Sequence, residues 1–149
     1  MAPLIALLAG SLVARLAGLL GVDALDGWQP ALRIGLALML LLTGAAHFAP
    51  SHRRDLIAMV PPALPRPALL VTVTGVLELA GVVGLLVPAS SRWVAGGLAL
   101  LMIAMFPANV SAARRKLTLA GRPVTPLGIR TAQQVLYVGV ALLVLLLPH

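Results

Sequence analysis

Two side chains with acid–base chemistry, His47 and Glu78, lie within long apolar stretches of the chain. An imidazole changes charge near neutral pH and a carboxyl group can exchange a proton, so the two could act together as a general acid and base. Ionisable side chains in such stretches usually face the interior of a helix bundle, where they mark a functional site or a structural pair. The sequence therefore predicts His47 and Glu78 as catalytic residues, with a polar tie between helices as the alternative for each.

Both residues stand on helix faces made of small side chains. At helical spacing, Glu78 is flanked by Gly75 and Gly81, and His47 by Gly44. Small residues allow another helix to approach closely inside a membrane. A carboxyl group so far from water should be either paired or protonated.

A polar stripe near the end of the chain could complete a ligand site. Arg130, then Gln133 or Gln134, then Tyr137 recur at the spacing that places them on one face of a helix. Two amides and a phenol beside an arginine could orient a polar ligand, although an arginine that reaches the membrane surface is the commoner arrangement. The sequence predicts Arg130, Gln133 and Tyr137 as ligand-binding residues.

The segment before the stripe adds one amide and two adaptable apolar side chains. Pro107 removes a helical hydrogen bond, so a kink or a break of the helix is expected there, with Asn109 supplying donors to the freed carbonyl groups. Met105 and Phe106 are side chains that line pockets well. If these faces meet those of His47 and Glu78, the result is a single polar cavity within one half of the membrane, lined by Asn109, Met105 and Phe106.

Composition requires a membrane to act as the solvent for this chain. Of 149 residues, 60% are hydrophobic and 10% are charged, against about 25% charged in soluble domains. The net charge is +7, but the cations lie between apolar runs, as in the cytoplasmic loops of membrane proteins, so we expect no nucleic-acid partner. The absence of cysteine excludes thiol chemistry, and His47, Glu78 and His52 are too few for a metal site at any diagnostic spacing.

The elements that must position these residues are membrane-spanning helices. A span needs about 20 apolar residues to cross a hydrocarbon core of about 30 Å. Five segments come close, and we expect one all-α domain over residues 1–149. The predicted spans are Pro3–Leu20, Ala31–Ala49, Pro67–Val87, Trp93–Val110 and Gly128–Leu147.

The distribution of cations predicts the orientation in a bacterial-type inner membrane. Loops two and four carry most of the arginines, so the positive-inside rule places them and the N-terminus in the cytoplasm and the C-terminus outside. The first segment lacks a basic start and a cleavage pattern, so we expect it to be retained. In loop two, Ser51–Val60 resembles a short amphipathic helix followed by a proline-rich stretch, which could lie at the headgroups or act as a lid over a cavity.

Several motifs, in order, resemble the DoxX family of membrane proteins over about Ala31 to Leu147. They are Thr43–Phe48, Met59–Pro61 with Leu64–Pro67, Thr74–Gly81, Met105–Asn109, and the closing Arg122-Pro123, Leu127, Arg130-Thr131 and Gln133-Gln134. The resemblance implies a DoxX-like four-helix transmembrane bundle at 31–149, preceded at 1–30 by one extra N-terminal helix and an outside loop. It also implies a relationship to DoxD-type subunits of quinone oxidoreductases, with the motif residues falling on His47, Glu78 and Asn109.

Three functions remain open at the level of the sequence. The first is a membrane subunit, linked to redox or oxidative-stress function, that binds a lipophilic molecule such as a quinone and receives electrons from a soluble oxidoreductase docked on the basic loops. The second is an assembly or docking protein without chemistry of its own. The third is a small-molecule transporter, which with five short spans would need a homo-oligomer.

Overall fold

The computed structural model describes residues 1–148, and within them the chain is almost wholly helical. The elements are α1 (Ala2–Leu19), a 3-10 turn (Asp23–Leu25), α2 (Trp28–Ala46), α3 (Pro50–Met59), α4 (Pro67–Leu86), α5 (Pro88–Arg114), the strands β1 (Thr118–Leu119) and β2 (Arg122–Pro123), and α6 (Leu127–Leu146). Prolines stand in the first turns of α1, α3, α4 and α5, where their fixed φ angle suits a helix start and their missing N–H costs no hydrogen bond.

All helices except α3 are long and apolar enough to cross a membrane, which confirms a multi-pass membrane protein with five candidate spans. Four of the predicted spans agree with the observed helices to within three residues at either end. The short amphipathic helix predicted in loop two is also present, as α3.

The fourth span differs from its prediction at both ends. α5 begins at Pro88 rather than Trp93, and it continues through Pro107 to Arg114. The expected break at Pro107 is therefore wrong. A proline removes one hydrogen bond, and a long span tolerates that loss when a neighbouring helix supplies donors to its carbonyl groups.

Four of the spans form a closed ring. α2 packs on α4, α4 on α5, α5 on α6, and α6 again on α2, whereas α1 lies along the outer side of α2. The side chains that fill the ring are aliphatic, among them Leu36, Leu40, Leu85, Ala95, Ala141 and Val144. Large apolar side chains such as Leu16, Val83 and Leu100 are exposed on the outer surface, as expected where lipid replaces water.

The two ends of the bundle differ in charge. We call the end that holds α3 and the β1–β2 hairpin the basic end, since eight of the eleven Lys and Arg residues lie there: Arg53, Arg54, Arg66, Arg114, Arg115, Lys116, Arg122 and Arg130. The opposite end holds Arg15, Arg33 and Arg92 with Asp23 and Asp26. This separation is the pattern on which the predicted orientation depends, and the orientation itself stays a prediction.

Candidate functional site

The structure brings His47 and Glu78 together at the contact between α2 and α4. Oε2 of Glu78 accepts a hydrogen bond from Oγ1 of Thr43 at 2.6 Å. Nδ1 of His47 lies 2.8 Å from the carbonyl oxygen of Thr43 and 3.9 Å from Oε2 of Glu78. His47 is 5% exposed and Glu78 is 4% exposed. The acid and the imidazole therefore face each other inside the bundle and not the surrounding lipid.

The hydrogen bond to Thr43 determines which nitrogen of His47 carries a proton. A carbonyl oxygen can only accept, so Nδ1 must be the donor, and Nε2 is the ring nitrogen left for another partner. Nε2 of His47 and Oε1 of Glu78 make no hydrogen bond within residues 1–148, and neither is among the polar atoms that are sealed without a partner. The pair thus offers one ring nitrogen and one carboxyl oxygen to a further molecule.

Glycines set the distance between the two helices. A Cβ atom at Gly75 would lie 2.5 Å from Cβ of His47 and 2.9 Å from the ring of Phe48. A Cβ atom at Gly44 would lie 2.9 Å from the side chain of Leu79. Side chains at these positions would push α2 and α4 apart, so the small faces expected from the sequence are what allow the acid and the imidazole to meet.

Arg53 of α3 supports the site from the basic end, a role that the sequence did not indicate. Nη1 of Arg53 donates to the carbonyl oxygen of His47 at 3.0 Å, and Nη2 donates to Oγ1 of Thr72 at 2.9 Å. A cation at the C-terminus of α2 satisfies a carbonyl group that the helix leaves free and complements the helix dipole. The sequence offered one signal for this contact: Arg53 follows the end of α2 by only a few residues.

The second cluster of predicted residues ties α5 to α6. Nη1 of Arg130 donates to Oδ1 of Asn109, and Nε of Arg130 donates to the carbonyl oxygen of Thr125 at 3.2 Å. Nε2 of Gln134 donates to the carbonyl oxygen of Met102 at 2.7 Å. Asn109 was expected to donate to carbonyl groups freed by Pro107, but its oxygen accepts from Arg130. The bond from Gln134 goes to Met102, one residue before the carbonyl group that Pro107 frees.

The remaining predicted ligand residues are placed around this cluster. Tyr137 is partly buried and packs against the aliphatic core. Met105 and Phe106 are partly buried on α5. The amide of Gln133 approaches Sδ of Met1 at 3.6 Å, next to the start of α1. Of the two glutamines, Gln134 bonds to α5 and Gln133 does not.

The two clusters stand on opposite edges of the ring, one between α2 and α4 and the other between α5 and α6. Within residues 1–148, no hydrogen bond or ion pair joins them. A cavity shared by both clusters stays a prediction. An apolar groove of about 740 Å³ lies elsewhere, between α1 and α2.

Comparison with known proteins places the chain in a family of undefined role. The model of the family described as a domain of unknown function, DUF8561, matches residues 36–145, and the chain belongs to that family. No curated protein and no solved structure was found to be similar. The match begins within α2 and ends within α6, so it includes both polar clusters and leaves α1 outside. The resemblance to the DoxX family stays a prediction.

Proposed function

We propose that this member of the DUF8561 family is a membrane subunit that binds a lipophilic quinone beside His47 and Glu78 and handles the protons of its reduction. The observation that carries the proposal is an acid and an imidazole that lie 3.9 Å apart, each hydrogen-bonded to Thr43 and buried between two apolar spans. Ionisable groups are costly at such a position and are retained there for function or pairing. A quinone has a tail that dissolves in lipid and two ring oxygens that need proton donors, which suits a site of this composition.

The reaction is a transfer of two electrons and two protons that converts each ring carbonyl into a hydroxyl group. His47, as an imidazolium, gives the proton on Nε2 to one ring oxygen, and Glu78, as a carboxylic acid, gives its proton to the other. Both groups are then reprotonated from water at the basic end, where His47 follows the last residue of α2. The chain has no cysteine and hence no thiol redox chemistry of its own. In this proposal a partner oxidoreductase with its own redox group supplies the electrons.

The opposite edge of the ring would hold the quinone in place. Nη2 of Arg130 makes no hydrogen bond within residues 1–148, so it remains available for a ring oxygen. Asn109 keeps Arg130 in position, while Tyr137, Met105 and Phe106 would line the space between the two edges. The quinone would thus occupy the interior of the four-helix ring, and side chains there must move apart when it enters.

Replacing the carboxyl group of Glu78 by an amide tests the proposal. Glu78→Gln keeps the shape and still accepts from Thr43, but it removes one of the two proton donors. We expect quinone reduction by a chemical reductant, measured with the protein in nanodiscs, to fall about 100-fold, since acid–base groups contribute about 10²–10⁴-fold to rates.

The matched control is Asp23→Asn, which replaces an exposed carboxyl group by an amide at the opposite end of the bundle and should leave the rate unchanged. Equal rates for Glu78→Gln and the unaltered protein, with both folded, would contradict the proposal.

A docking protein without chemistry is the second candidate, favoured by the exposed cations of the basic end. Side chains that are exposed and make no hydrogen bond within the described residues are Arg54, Arg66, Arg114, Lys116 and Arg122. Such a surface fits a partner with acidic patches. The dense packing at Gly75 and Gly44 is also compatible with a structural tie between α2 and α4.

Reversal of charge distinguishes this candidate from the first. The double variant Arg54→Glu, Lys116→Glu should lose partners that co-purify with the protein, whereas Arg92→Glu, at the opposite end, should keep them. Quinone binding should be unaffected in both variants. Partners that stay bound to the double variant would contradict docking on this surface.

A further inference from the structure

The opposite end of the bundle contains a cavity with three polar residues in its lining, separate from the quinone site proposed above. It has a volume of about 230 Å³ and is lined by Ala24, Asp26, Gln29, Pro30, Arg33 and Pro88. This is room for several water molecules or a small polar group, at about 30 Å³ for each water. The residues come from the 3-10 turn and the starts of α2 and α5.

Arg33 is the feature of this cavity that needs an explanation. It lies in the second turn of α2, is 8% exposed, and makes no hydrogen bond or ion pair within residues 1–148. Its Nε atom is sealed from solvent without a partner. A buried guanidinium without a counter-charge is costly. Nη1 and Nη2 also make no hydrogen bond within the described residues, but they are not sealed, so they can still meet a molecule that enters the cavity.

The neighbouring groups do not neutralise Arg33, and one of them lacks a hydrogen-bond donor. Gln29 is 2% exposed and donates from Nε2 to the carbonyl oxygen of Val144 at 3.4 Å, which leaves its Oε1 sealed without a partner. The carboxylate on the wall, Asp26, is already paired with Arg15 at 2.9 Å, so it does not neutralise Arg33. The N-termini of α2 and α5 both adjoin the cavity and contribute their positive dipole ends.

We propose that this cavity binds an oxyanion, a carboxylate or a phosphate group, through the guanidinium of Arg33. The N–H groups of arginine form a planar fork that matches two oxygens of such an anion. A hydroxyl group on the same ligand would supply the donor that Oε1 of Gln29 lacks. The cavity lies at an end of the spans, so the oxyanion can be the headgroup of a lipid or a small solute from the aqueous side.

Thermal unfolding of the purified protein tests the site and distinguishes the sources. Trp28 and Trp93, close in sequence to the cavity, provide a fluorescence signal for protein freed of lipid in a neutral detergent. The probes are inorganic phosphate, acetate and a short-chain phosphatidic acid. We expect at least one to raise the midpoint by about 4 °C or more at saturation. A shift with phosphate or acetate indicates a free solute, and a shift with the lipid alone indicates a headgroup.

Substitution of Arg33 shows whether the shift belongs to this cavity. Arg33→Met has a similar length and no charge, so it should lose the shift and, without any probe, unfold at a higher temperature than the unaltered protein. Arg92→Met, an exposed arginine at the same end, should keep the shift. A shift of full size in Arg33→Met, or no shift of the unaltered protein with any probe, would overturn the proposal.

A second variant keeps the test decisive if Arg33→Met fails to fold. Arg33→Lys retains the charge but not the planar fork. We expect it to bind the effective probe at least ten-fold more weakly. Unchanged affinity in Arg33→Lys would overturn the assignment of the anion to the guanidinium.

Discussion

Gly75 determines, by having no side chain, whether His47 and Glu78 can lie against each other. The glycine stands one helical turn before Glu78 on α4 and faces the Cβ atom and ring of His47 on α2. Gly75 allows α2 to approach α4 closely, and it has no side chain that could bind a ligand or a partner residue. The chemistry of the site therefore depends on a residue that takes no part in it.

Gly75→Ala should destabilise the protein by about 1–3 kcal/mol, because an added methyl group in a packed contact forces its neighbours to shift. Unfolding by denaturant in detergent would measure the loss. Gly97→Ala on α5 is the control, since nothing lies within 4 Å of a Cβ atom there, and alanine favours a helix over glycine by up to about 1 kcal/mol. Equal stability of the two variants would show that the contact at Gly75 is not tight.

The polar members of the site could be predicted from the sequence, but not their pairing. His47, Glu78, Asn109 and Arg130 stand out because polar side chains are rare within apolar spans. Which of them meet depends on which helix faces pack together, and one sequence contains no record of that. The sequence indicates partner docking for the basic loops, and Arg53 lies in one of them. Nothing in its spacing reveals the carbonyl group that its long side chain reaches.

At the scale of elements, α3 is attached to the bundle by polar contacts at three points. Arg53 bonds to the end of α2 and to α4, Asp55 accepts from the backbone N–H of Ala120 at 2.8 Å, and the carbonyl oxygen of Ala58 accepts from Arg115 at 2.8 Å. These contacts hold α3 over the end of the ring next to His47. The helix is thus fixed in a position from which it could limit access to the site.

Arg53→Met should release α3 without unfolding the spans, since it removes charge-assisted hydrogen bonds worth about 1.5–3 kcal/mol each. Hydrogen exchange over residues 50–59 should become faster by about ten-fold or more, while exchange in α4 and α5 stays the same. Arg54→Met, on the same helix but without a hydrogen bond in the described residues, should leave exchange unchanged. Faster exchange in both variants would indicate a general effect of lost charge.

Helix positions were more predictable than helix ends. Apolar runs of span length identified α1, α2, α4 and α6 closely, because the bilayer requires such runs and little else does. The prediction for α5 was too short at both ends: Ser90, Ser91 and Arg92 are helical despite their polarity, and Pro107 is tolerated within the span. An apolar run identifies the residues that lie in lipid, whereas the helix can continue past the lipid on either side.

For the whole molecule, the separation of charge between the ends makes its orientation testable. The chain contains no cysteine, so single cysteines can be introduced without background. With Asp23→Cys and Arg92→Cys, an impermeant maleimide should label intact cells. With Arg54→Cys and Lys116→Cys, labelling should require permeabilised cells. All four positions are exposed. Labelling of Arg92→Cys and Arg54→Cys from the same side would contradict the orientation.

The length of α5 has a consequence for how the protein sits in membranes of different thickness. Its 27 residues extend about 40 Å at about 1.5 Å per residue, against a hydrocarbon core of about 30 Å. An upright α5 would raise Arg114 and the hairpin about 10 Å clear of the acyl chains. In a thicker bilayer, less of α5 would extend beyond the acyl chains. Arg114 and Arg115 would then lie among the lipid phosphates, where proteins in the aqueous phase could not bind them.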